Sequence, residues 1–177
     1  MKFNKVAVFI ISMASSSVAF AADQGHGKIT FNGSIIDSPC SLAPESEDQT
    51  IPLGQISNVL LKNGGSNDGQ STPRNFDIKL ENCDTTTAKT VTATFTGTPS
   101  AYDADSLGVT GTAGGVSVVM TDGSGKKIKL GQPTDARPIQ DGSNTLLFSA
   151  YVQGGGASAA ITEGQFSTVT DFTLAYP

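Results

Sequence analysis

Cys40, Cys83, His26 and a scatter of carboxylates are the residues of this 177-residue chain that could do chemistry. A cysteine pair can hold a metal, supply a reactive thiolate or close a disulfide. The chain has one histidine and no C-x-x-C, which disfavours the first two. A Ser-His-Asp device needs its histidine fixed by surrounding structure, and His26 lies near the chain start. Asp103 and Asp105, or Glu45, Glu47 and Asp48, could attract calcium. Their spacing lacks the acidic loop that ends in a bidentate glutamate, so they read as solvated loop carboxylates. Gly154-Gly155-Gly156 follows a strand-like run without the G-K-[ST] of a phosphate cradle. Asn32-Gly33-Ser34 fits a glycosylation sequon, but a glycan there would obstruct strand pairing, and the match reads as chance. No cofactor and no metal are expected.

Lys2 and Lys5, an apolar run broken by Ser15, Ser16 and Ser17, and Ala19-Phe20-Ala21 predict a signal peptide over residues 1–21. Cleavage is expected between Ala21 and Ala22. The run is too short for a membrane anchor. Removing 21 of 177 residues leaves 156, enough for one domain with a real core. Losing Lys2 and Lys5 takes the formal charge from −5 to −7. That argues against nucleic acid or an anionic membrane as partner. In an oxidising compartment the two cysteines default to one disulfide. In the chain-entropy model such a crosslink is worth roughly 4 kcal/mol.

Thr, Ser, Val and Gly dominate, and short β-rich runs alternate with turn clusters, which suggests an all-β sandwich or barrel. The expected strands are 76–83, 90–97, 115–122, 126–131, 144–153 and 166–176. Residues 64–73, 110–115 and 153–160 read as loops. No long 3.6-residue period appears, so any helix is a short piece near Ile56 to Lys62. The expected core is Ile51, Leu53, Phe76, Ile78, Leu80, Phe95, Val118, Leu147, Phe148 and Tyr151.

The stretch GKITFNGSIIDSPC, residues 27–40, permits two readings. Asn32-Gly33 between alternating apolar residues is a hairpin signal. A single continuous strand instead places Ile29, Phe31, Gly33 and Ile35 on one face. Periodicity alone leaves both open.

Gly27, Ile29, Phe31, Gly33, Ile35, Ile36 and Cys40 follow a Gly-x-Val-x-Phe-x-Gly-x-Val-Val-x-x-x-Cys pattern. Together with Cys83 in LENCD and with Thr162, Gly164, Phe166, Phe172 and Tyr176 near the end, they resemble the subunits of chaperone–usher fimbriae of Gram-negative bacteria. The likeness spans the mature chain and is nearest to major shaft pilins of the P-pilus type. It implies an incomplete immunoglobulin-like β-sandwich that lacks its last strand. Residues 22–33 would be a donor-strand extension and 34–177 the pilin domain. Gly27, Ile29, Phe31, Gly33 and Ile35 would enter the groove of the next subunit, with Gly33 over a narrow pocket, which selects the single strand over the hairpin. Phe172, Leu174 and Tyr176 would form the chaperone-facing C-terminal strand. Implied partners are other pilins, a periplasmic chaperone and an outer-membrane usher, and the implied destination is the cell surface. Pro177 departs from the family, which commonly ends in a residue such as Gln. Two other functions compete: a subunit with its own receptor-binding surface, and a secreted β-sandwich enzyme, which the single histidine disfavours.

Intact-mass measurement of surface protein without reduction should give a chain starting at Ala22 and two hydrogens lighter than the free dithiol. Two free thiols would overturn the disulfide, and a retained leader would overturn the cleavage site.

Overall fold

Alternation in FDIKLENC turns Ile78 and Leu80 inward and Lys79 and Glu81 outward, and this run becomes one of the two inner strands of the larger sheet. In a computed structural model the structure describes residues 27–177. The expected signal peptide, the Ala21–Ala22 junction, His26 and the first part of the extension lie outside the described residues. The chain divides into a unit ending at Ile35 and a unit Ile36–Pro177.

The strands of the second unit are β1 (Ser41–Leu42), β2 (Arg74–Cys83), β3 (Thr90–Gly97), β4 (Thr110–Gly111), β5 (Val116–Asp122), β6 (Arg137–Pro138), β7 (Gly142–Gly154), β8 (Phe166–Ser167) and β9 (Thr170–Ala175). Two helical turns, α1 (Pro44–Glu47) and α2 (Asn58–Lys62), fall between β1 and β2. One sheet has the order β1-β2-β7-β5, a second has β6-β3-β9, and β4 pairs with β8. Every strand pairing is antiparallel. The apolar faces of the two larger sheets supply one core, with Ile78, Leu80, Val91, Phe95, Leu107, Val118 and Val152 almost fully buried. Phe148 stacks on Phe76 at 5.5 Å and meets Phe95 edge-on at 5.1 Å, arrangements that aromatic quadrupoles favour.

The β2–β7 register sets which residues of β7 face inward. Phe76 pairs with Phe148 and Ile78 with Leu146, so Leu146, Phe148, Ala150 and Val152 are buried. Leu147, expected in the core, lies opposite Asp77 on the outer face and is 61% exposed. Tyr151, also expected in the core, is only half-buried on that outer face. A Leu-Leu-Phe run permits two phases, and the partner strand chooses between them.

Two expected strands differ. Residues 126–131 form no strand. Lys127 bridges Thr121 and Ile128 donates its N–H to Met120, so the run folds back over the edge of β5. Val119, on the outer side of β5, is fully buried. On the same strand the Ser117 hydroxyl bonds that of Ser100 in the 99–107 loop, at 2.7 Å. The final run 166–176 divides into β8 and β9 around Thr168-Val169.

Cys40 and Cys83 are disulfide-bonded across 43 residues of sequence, which fastens the start of β1 to the end of β2. Asp122 closes the turn after β5. It is 6% exposed, accepts backbone N–H groups of Ser124 and Lys126 at 2.9 Å, and pairs with Arg137 at 3.0 Å. Burial raises its pKa, but the hydrogen bonds and the guanidinium outweigh burial and hold the carboxyl below its ordinary value.

Leu146→Ala should destabilise the subunit by about 2–5 kcal/mol, while Leu147→Ala should stay within about 0.5 kcal/mol, as read by chemical denaturation. Asp122 is lowered in the folded state, so its contribution is complete above the ordinary carboxylate pKa and is lost as pH falls from there through the lowered folded-state value. Stability measured against pH should therefore fall less steeply on acidification in Asp122→Asn than in the native chain.

Candidate functional site

β9 is hydrogen-bonded to β3 on one side, pairing Phe172 with Phe95 and Leu174 with Ala93. Along its other edge no described strand pairs with it. Such an edge presents a row of backbone donors and acceptors to any extended chain. Beside it runs an apolar groove of about 1410 Å³. That exceeds the 300–1,000 Å³ typical of small-molecule pockets, and a polypeptide segment is an occupant of the right scale.

The floor of the groove is core: Phe76, Ile78, Phe95, Val118 and Val152. One wall is Phe172 together with residues 161–171. The other is residues 48–57, an extended segment outside any strand, which packs half-buried Leu53 and Ile56 against the core and lines the groove with Ile51. Pro52 has no N–H to give a ladder, which suits an irregular edge. The wall is held from below. Ser46, 2% exposed, accepts the N–H of Lys79 at 3.0 Å, and the Gln49 amide donates to the Asp77 carbonyl at 2.8 Å. The Asn58 amide donates to Glu163 and links the two walls. Four lining residues carry charge, Glu47, Asp48, Glu163 and Asp171, and all four are acidic.

After β9 the chain continues to Tyr176, half-buried against the core. Burial pushes its phenol above the usual pKa, against a hydrogen bond with Ser38. Thr90 donates to the Pro177 carbonyl at 3.2 Å, so the last residue lies beside the start of β3.

The structure does not bring the expected extension residues into any strand. Residues 27–37 are exposed, with Ile29 at 77%, Phe31 at 89% and Ile35 fully so. Neither Asn32 nor Gly33 takes the positive φ that a type I′ hairpin requires, so the subunit forms no such turn there. A Cβ built on Gly33 would meet nothing within 4 Å. Three of the five carboxylates weighed as calcium ligands have other partners, while Glu47 and Asp48 line the groove. Glu45 pairs with Lys79 at 3.4 Å and Asp105 with Lys129 at 3.7 Å. Asp103 accepts Ser106 at 2.6 Å and also pairs with Lys127. What sequence reasoning missed was the role of Ile51 and Leu53, read as ordinary core. The signal was Pro52 between them.

The chain matches the family described as "Fimbrial protein" over residues 29–177. It is 58% identical to the Fimbria A protein of Serratia marcescens, with 99% of each chain covered. It is 49% identical to the Major MR/P fimbria protein of Proteus mirabilis, again with 99% of each covered. A solved chaperone–usher pilus subunit superposes with a TM-score of 0.77 at 37% identity, covering 87% of this chain and 97% of that one. The protein thus belongs to the fimbrial protein family, as a structural subunit of a surface fimbrium built on an immunoglobulin-like sandwich that lacks its last strand.

Proposed function

We propose that this chain is the major shaft subunit of its fimbrium, and that copies join when residues 27–35 of one enter the groove of the next. The observation that carries this is the unpaired edge of β9 beside an apolar groove, in a chain that also holds an exposed alternation of matching character. Ile29, Phe31 and Ile35 would fill the groove between the walls. Burial of Ile29 and Phe31 would contribute roughly 1.5–3 kcal/mol each. Backbone hydrogen bonds to β9 would supply affinity and the pockets would supply register. Gly33 suits a place where two backbones approach closely.

The same groove must be covered before assembly, since an exposed apolar edge invites aggregation. A periplasmic chaperone would cover it, aligned on β9 through Phe172, Leu174 and Tyr176, and an outer-membrane usher would exchange that chaperone for the incoming extension. The superposition on a chaperone–usher pilus supports this route. The subunit works by this pairing and not by catalysis.

Gly33→Leu separates the readings. In the subunit's own fold the new side chain meets open space, so folding, the disulfide and the chaperone complex should be normal. In a neighbour's groove it would overfill a pocket, a cost of typically about 1–3 kcal/mol. Cells should then yield normal amounts of periplasmic chaperone complex and few or no fibres by electron microscopy. Normal fibres would overturn the proposal.

A further inference from the structure

The groove and the segment proposed to fill it differ in charge. Glu47, Asp48, Glu163 and Asp171 line the groove, and no lining residue is basic. Residues 22–36 carry two charged side chains, Asp23 and Lys28; Lys28 alone lies among the groove-filling residues 27–35, and it is exposed. Alternation places Lys28 opposite in phase to Ile29, Phe31 and Ile35. When those three face the floor, Lys28 faces outward along the rim, the direction that Asp171 already takes on β9, where exposed Asp171, Thr173 and Ala175 alternate with Phe172 and Leu174. The Arg74 guanidinium comes beside the wall at Gly54 and offsets part of this field. Four rim carboxylates remain against it.

We infer that Lys28 of one copy steers its extension onto the acidic rim of the next copy's groove. This rests on the donor-strand reading above and adds the residue that governs its rate. The mature chain is acidic as a whole, so two copies repel at long range. A local opposite charge on the incoming strand lowers that barrier and leaves the apolar pockets to hold the strand once seated. Exposed charges of this kind act mainly on association rate, and salt screens them. Lys28 is therefore a determinant of partner choice among acidic grooves, while Phe31 and its neighbours decide retention.

Synthetic peptides of residues 22–36 would be added to purified chaperone-bound subunit, and chaperone release followed with time at about 20 mM and about 500 mM salt. At low salt the Lys28→Glu peptide should react roughly tenfold more slowly than the native one, with Lys28→Gln between them. At high salt the three rates should converge. A subunit carrying Asp48→Asn and Asp171→Asn should lose most of the difference. Equal rates at low salt, or a difference that survives high salt, would overturn the role of Lys28 and leave the donor-strand reading intact. If the native peptide releases no chaperone at either salt, and behaves like a Phe31→Ser control, the donor-strand reading itself fails and this inference with it.

Discussion

The backbone edge of β9 is the constraint around which the rest of the subunit is arranged. Backbone N–H and C=O groups next to an apolar groove have few good solutions: they pair, or they stay wet beside surface that water avoids. Everything else compensates for leaving that edge open. The four-stranded sheet is complete without it. The aromatic contacts among Phe76, Phe95 and Phe148 bind the two sheets from inside. Thr92 and Thr170 add side-chain bonds to the β3–β9 ladder on the closed side. The fold therefore holds its shape while one face of its core is unfinished.

The wall formed by residues 48–57 shows how a polar scaffold can hold an apolar surface in place without a ladder. A sheet strand at this position would compete for the same space as an incoming segment. An irregular run, pinned by Ser46 and Gln49 to the backbone of β2, leaves the groove open beside β9. On the far side of the sandwich the solution is the opposite. There residues 99–107 and 126–129 cover β5, and its seven residues are all buried. One edge of the molecule is sealed and the other is open.

How much of this was legible in the sequence depends on the kind of signal. Strictly alternating runs such as 76–81 and 90–97 specified their strands and faces, because each second residue is polar. The two cysteines and their bond followed from export. Leu146-Leu147-Phe148 did not specify its phase, since adjacent apolar residues satisfy either face until β2 fixes the register. KKIKLG has the composition of a strand, but it lies over an edge that offers only isolated bridges. The groove was the least legible feature. Ile51 and Leu53 have the same chemistry as core residues, and only the chain path shows that they face a channel. The extension alternates as a strand does, yet has no strand partner within its own subunit, so periodicity alone could not distinguish strand from hairpin.

The position of the disulfide has a mechanical consequence. Tension on the extension meets the hydrogen bonds at Ser38 and Pro39 and then, at Cys40, the covalent bond to Cys83, which joins it directly to β2, the strand held between β1 and β7. The intervening stretch, including the whole 48–57 wall, lies off that covalent path, so the shortest covalent route from the extension into the sheet bypasses the wall.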